Sequence, residues 1–193
     1  WVANFCQFLV FYLFVTTMAL YAVESFGASD TVGGFASSAF VLGATCMRVF
    51  SGWIVDRVGH KKAALASLAF VTVVAVAYFF AHNVAVLIIV RMVHGAGYAL
   101  TSTALMAVAQ SVIPHERRAE GTGYFALGTT LATAFGPAIG LLLANNIGYT
   151  TLFAVALGAN IVSLILALVL RYPAEVSSEK PAFKLRNAVH PNE

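Results

Sequence analysis

Charged side chains are scarce in this chain: Asp, Glu, Lys and Arg make up 10% of its 193 residues, against about a quarter in a typical soluble domain. Apolar residues reach 60%. A soluble fold of this length cannot hide that much apolar surface, so lipid is the expected solvent. Cysteine is nearly absent. Cys6 and Cys46 each sit in an apolar run, which reads as two small hydrophobes in a reducing or lipid setting, not a disulfide or a metal pair. No Cys/His cluster has zinc spacing, so neither a metal site nor a cofactor is expected. Catalytic chemistry is missing too: the Ser, Asp and His residues show no nucleophile–base spacing. The stretch HERR at 115–118 lacks the second His of a zinc-peptidase helix. The chain is not read as an enzyme, and no catalytic residue is assigned.

What is present is six apolar segments, at about 5–25, 33–55, 63–81, 84–109, 119–144 and 149–170, each near the ~20 residues that cross a bilayer. Turn and charge signals separate them: ESFGASDT, DRVGHKK, HN, IPHERR and NNIG. The first run has no basic segment before it and reads as a spanning helix, not a signal peptide. Residues 171–193, with two early prolines and no long apolar run, read as a cytoplasmic polar tail or the start of a linker.

Basic residues fix the expected orientation. Arg57, Lys61 and Lys62 follow the second segment, Arg117 and Arg118 the fourth, and Arg171, Lys180, Lys184 and Arg186 the sixth. The other three loops hold no Lys or Arg. Under the positive-inside rule both ends of the segment face the cytoplasm of a cell (plasma or inner) membrane. The net charge of +3 therefore marks topology, and no nucleic-acid partner is expected. A short internal echo, Phe40-Val-Leu-Gly43 and Phe125-Ala-Leu-Gly128, falls in the second segment of each group of three and hints at a three-plus-three inverted repeat.

The stretch GWIVDRVGHKK, Gly52 to Lys62, concentrates the charge. It reads as a helix end, a tight turn and a helix start. Gly52 is expected to admit a close backbone neighbour, and Gly59 to permit the φ > 0 of a short turn. Asp56 lies beside Arg57 at the bilayer edge, where an unpaired carboxylate is costly. An ordinary positive-inside loop with one satisfied ion pair would look much the same.

This loop resembles the signature between helices 2 and 3 of the major facilitator superfamily, G-x-x-x-D-R-x-G-R-K/R. Gly52, Asp56, Arg57, Gly59, Lys61 and Lys62 fall on the pattern; His60 stands where arginine is usual. RMVHGAG, with Arg91, Gly95 and Gly97, is similar to the family's helix-4 motif R-x-x-x-G-x-G. GYFALGTTLATAFGPAIG is similar to its helix-5 antiporter motif: Gly123, Gly136, Pro137 and Gly140 match, while Ala132 and Leu141 replace glycines. The resemblance covers essentially the whole chain. It implies an all-α membrane protein, with six transmembrane helices forming one half of a twelve-helix major facilitator fold, in the drug/proton antiporter branch. The sequence opens at Trp1 and not Met, so a longer protein is expected, with a C-terminal six-helix half as partner.

The helix-5 residues also have a reading of their own. Gly128, Ala132, Gly136 and Gly140 recur every four residues, forming a smooth stripe for close helix packing in lipid. Pro137 removes a backbone donor and should bend the helix. Arg91 lies about 10 Å inside its span by helical rise. A charge so deep faces a bundle interior or a watery cavity, unless it caps backbone carbonyls or snorkels. Resemblance gives it a part in proton handling or in holding helix 4. His94, one turn on, is able to titrate near neutral pH, although a lone buried His is more often structural. Arg48 lies about 12 Å along the helix from Asp56 and should lean toward the membrane centre. No acidic residue sits at midplane depth, so its expected partner is a substrate, backbone carbonyls or a residue of the other half. Tyr12 and Tyr98 join Arg48 and His94 as candidate cavity or substrate positions.

The reading is a secondary active transporter working by alternating access, with a small-molecule substrate, protons and the lipid bilayer as partners. Its direction is proton-coupled efflux of a small amphipathic compound, neutral or anionic. The rivals are a proton symporter importing a small solute and, from another class, a non-transporting membrane receptor.

Overall fold

The computed structural model describes residues 1–169; the tail expected at 171–193 lies outside the described residues. The described elements are helical: α1 (Val2–Phe26), α2 (Asp30–Val58), α3 (His60–Ala77), α4 (Val84–Val112), α5 (Arg118–Asn146) and α6 (Tyr149–Val169), with 3-10 turns at Tyr78–Phe80 and His115–Arg117. All six are long and apolar enough to cross a membrane, α3 counted with the turn that follows it.

Several helices outrun their apolar windows by one to three residues, and two of them begin at a polar cap. Ser29 Oγ accepts from Val32 N at 3.4 Å, starting α2 before residue 33. Asn83 Oδ1 accepts from Val86 N at 2.9 Å and starts α4. Each side chain satisfies one of the donors a helix N-terminus leaves free. The third segment needs a larger correction. Its α-helix begins at His60, directly after Gly59 (φ 96°), and ends at Ala77, where Tyr78–Phe80 tighten into 3-10 geometry.

Polarity is inverted relative to a soluble bundle. Asn4, Gln7, Arg91, His94, Thr101, Asn160 and Ser163 are buried, whereas Val73, Phe80, Ile89 and Ile165 stand on the outside. Apolar side chains cost nothing facing lipid, so the interior collects the groups that need partners. Gln7 Nε2 donates to Asn160 Oδ1 at 2.9 Å and Ser163 Oγ to the Ala3 carbonyl at 2.8 Å, pinning α1 to α6.

Two parallel helix pairs organise the bundle. α2 packs most extensively on α4, and α1 on α5, while α3 lies against α4 and α6. Along α2–α4 the hydrogen bonds Arg91–Ser37 and Arg48–Ser102 both join residues 54 apart in sequence, so the helices run in the same direction, in register. Replacing each helix by the one three places along turns α2–α4 into α5–α1, and α3–α4 into α6–α1, which are also among the large contacts. The echo noted in sequence fits this relation. Gly43 abuts the Met92 backbone, and Gly128 lies 3.6 Å (measured to a built Cβ) from Phe5 Cα.

Candidate functional site

The α2–α4 seam carries an arginine near each end and glycines between. A Cβ on Gly43 would overlap the Met92 carbonyl, and one on Gly95 would overlap the Phe40 carbonyl. Gly97 is tight against the side chains of Phe70 and Val71 on α3, at 2.7 and 2.8 Å from a built Cβ. Backbone contact leaves no room for a side chain at Gly95, and packed side chains of α3 crowd Gly97, which is why R-x-x-x-G-x-G suits α4.

Arg91, on α4, is fully buried. Its Nη2 donates to the Ser37 carbonyl of α2 at 3.0 Å. The guanidinium carbon lies 4.8 Å from the Phe40 ring centroid and 5.9 Å from that of Phe14, within cation–π range. Of the sequence alternatives, carbonyl capping inside the bundle is the one observed. Nε and Nη1 make no hydrogen bond of good geometry among the described residues, although Tyr78 lies close enough to feel the charge. His94 is not isolated: its Nδ1 is 3.0 Å from the Tyr78 hydroxyl, and its ring sits between Phe14 and Phe40.

Arg48, on α2, faces a different environment. It is exposed on this bundle, ten residues from the Val58 end of α2, about 15 Å by helical rise. The contact of its Nη2 with Ser102 Oγ is long, at 3.4 Å. That hydroxyl is a correction to the partners expected from sequence. A parallel, in-register α4 places a serine at the same depth, while Ser102 itself donates to the Ala99 carbonyl at 3.1 Å. The five carboxylates among the described residues lie in turns or within two residues of a helix end, so none meets Arg48 or Arg91. Beside Arg48 is an aromatic cluster: Phe11 stacks on Tyr98 (5.7 Å, 21°), Phe8 meets Tyr98 edge-on (5.7 Å, 86°), and Phe11 meets Tyr12 at 4.9 Å. The charge of Arg48 reaches the Tyr98 hydroxyl, and so does Tyr12.

The charged loop differs from its sequence reading in two respects. Gly52 has nothing within 4 Å of a built Cβ. It is exposed because α2 turns Ser51 and Val55 inward instead, so no close neighbour exists among the described residues. Asp56 pairs not with Arg57 but with His60, at 3.9 Å across the turn, because the break at Gly59 folds the first residue of α3 back beside the end of α2. Arg57 instead lies over the Trp53 ring at 5.4 Å. Gly59 has the positive φ expected of it. Lys61 and Lys62 are exposed.

On α5 the stripe of small residues meets α1. A Cβ at Gly136 would come 2.5 Å from Tyr12 Cβ, and one at Gly140 would come 2.7 Å from the Leu13 carbonyl oxygen. Ala132 and Ala144 are buried on the same line. Gly123 is the exception, with nothing within 4 Å. α5 continues as one helix through Pro137.

Sequence reasoning did not find Tyr78, Ser37, Ser102, Phe8 or Phe11. Tyr78 has no local signal, since its role comes from α3 meeting α4 side on. Ser102 was accessible in principle: matching Arg48 against its in-register neighbour on a parallel helix points to it.

Comparison with known proteins gives a consistent answer. The family model of the Major Facilitator Superfamily matches residues 1–191. An uncharacterised protein of Mycobacterium tuberculosis is 34% identical over 124 residues, 64% of this chain and 29% of that protein. The staphylopine export protein of Staphylococcus aureus is 31% identical over 133 residues, 68% of this chain and 32% of its own length. The multi-drug resistance efflux pump PmrA of Streptococcus pneumoniae is 30% identical over 159 residues, 79% of this chain and 39% of the pump. The chain thus matches well under half the length of each of these relatives.

Proposed function

The chain belongs to the Major Facilitator Superfamily, and from that premise we propose that it is the first half of a proton-coupled exporter of small amphipathic compounds, neutral or anionic. The observation that carries the reading is Arg48. It is a permanent charge well inside a spanning helix, set beside a half-buried aromatic cluster with no carboxylate to neutralise it among the described residues. Such a charge belongs in a watery cavity and not against lipid, and it disfavours a purely cationic cargo. A second six-helix unit would supply the opposite wall, with the substrate held between the two as they rock. The basic loops would face the cytoplasm.

Export is supported by two relatives that carry export and efflux in their names and by the glycine-lined α1–α5 seam. In this reading Gly123, Gly136, Pro137 and Gly140 seal the cavity against proton leak, and on α4 Arg91 serves proton handling or holds the helix-4 geometry, with Gly95 and Gly97 letting the neighbouring helices approach. Gly52, Asp56, Arg57, Gly59, Lys61 and Lys62 brace the cytoplasmic side through contacts made in one conformation only. Differential contacts of that kind bias a two-state equilibrium. The test is substrate-evoked proton movement by the full-length protein in liposomes loaded with a pH-sensitive dye. Adding neutral or anionic amphipathic fluorophores on the cytoplasmic face should move protons toward that face, and Gly136→Val should abolish the signal. Substrate flux without counter-movement of protons would defeat the assignment.

A further inference from the structure

Arg48 and its neighbours narrow the cargo further, given the reading of this face as a cavity wall: we infer that the preferred substrates are planar aromatic anions, with the ring against Phe8, Phe11 and Tyr12 and the anionic group on Arg48. Two features together carry this. First, Arg48 stands exposed on this face with most of its donors unused and no carboxylate beside it among the described residues. Among the described residues Arg48 has only the long Nη2 contact with Ser102, and the Tyr98 and Tyr12 hydroxyls make no hydrogen bond although each hydroxyl lies within electrostatic reach of the other. A guanidinium fork with its remaining donors free matches the paired oxygens of a carboxylate or sulfonate. Second, the walls beside these donors are rings. Phe8, Phe11 and Tyr12 are half-buried and pack on other rings, with Tyr98 buried beneath them. Phe11 and Tyr98 already stack at 5.7 Å, leaving a stack that a flat ligand extends in offset or edge-on geometry. A cation would meet Arg48 at close range with no carboxylate among the described residues to hold it. A flexible aliphatic anion would satisfy the arginine and forgo the rings.

The test uses three probes sharing one ring system: naphthalene-2-sulfonate, uncharged 2-naphthamide and the cation (2-naphthylmethyl)trimethylammonium. Transport by the full-length protein is followed in inside-out vesicles with an acidic lumen. The sulfonate should be taken up with the highest apparent affinity, octane-1-sulfonate more weakly, and the cation least. Arg48→Gln should weaken the sulfonate about 10- to 100-fold, the range of one charge-assisted hydrogen bond, while changing the amide less than about threefold. Arg48→Lys should recover only part of the loss, since a point charge lacks the fork. Phe8→Leu keeps the charge and should weaken both naphthyl probes while sparing octanesulfonate. Equal affinity for the three naphthyl probes, preference for the cation, or an Arg48→Gln protein that still discriminates would overturn this inference and leave export standing. Uptake of none of the probes, or of a broader panel of amphipathic compounds, would remove the exporter reading itself.

Discussion

Replacing Gly140 by alanine tests the helix-packing logic at the scale of a single methyl. A Cβ there would lie 2.7 Å from the Leu13 carbonyl oxygen and 3.2 Å from Leu13 Cα. Both are backbone atoms that no rotamer change can move. Restoring ordinary contact requires α1 and α5 to separate by about 0.7 Å locally, and gaps of 0.5–1 Å forfeit about a quarter to a half of each dispersion contact. Overpacking of this kind costs about 1–3 kcal/mol. Alanine returns about 1 kcal/mol of helix propensity, leaving a net loss of up to about 2 kcal/mol, and a deficit of about 1–3 kcal/mol against an alanine that meets nothing. Gly158→Ala on α6 is the matched control, because nothing lies within 4 Å of a Cβ there; it should be neutral or slightly stabilising. Thermal unfolding of the detergent-solubilised full-length protein, followed by fluorescence-detected size exclusion, compares the two. If Gly140→Ala is as stable as Gly158→Ala, the α1–α5 seam is looser than described and the sealing role loses its basis.

Further expectations follow from individual contacts. Tyr78→Phe removes the hydroxyl 3.0 Å from His94 Nδ1 and should cost about 1–3 kcal/mol by stranding a buried polar atom, read as a lower Tm with transport direction unchanged. Gln7→Leu should destabilise by roughly 0.6–2 kcal/mol, as for other hydrogen bonds between membrane helices. Adding Asn160→Leu should recover much of that loss, so a double-mutant cycle with no coupling would show that the 2.9 Å amide bond contributes nothing. Lys62→Cys in a cysteine-free background should react with an impermeant maleimide only from the cytoplasmic side, and Asp30→Cys only from the outside; the reverse pattern would invert the topology.

The sequence made the architecture legible because a spanning helix announces itself by length and apolar run, and the charged loops by their contrast with those runs. The stripe from Gly128 to Gly140 was legible for a similar reason: a period of four on one helix needs no knowledge of the partner to imply close packing. What stayed hidden depended on which helix faces which. Gly52 and Gly123 carry motif positions yet meet nothing among the described residues, since a glycine in sequence does not say from which side a neighbour comes. Asp56 is paired with His60 through the turn at Gly59 and not with its chain neighbour Arg57. That contact also gives His60 a local role, as the cationic partner of Asp56 when protonated. The aromatic wall around Tyr98 combines rings of α1, α2 and α4, a juxtaposition that no single-helix pattern encodes.

The central claim is proton-coupled export, and one flux experiment addresses it directly. Inside-out vesicles holding the full-length protein, with the lumen more acidic than the bath, should accumulate naphthalene-2-sulfonate against its gradient, and a protonophore should release it. A permanently charged sulfonate does not follow the pH gradient by passive diffusion, so accumulation reports coupling. Expulsion of preloaded probe from the acidic lumen would indicate symport into the cytoplasm, and accumulation indifferent to the protonophore would contradict the account.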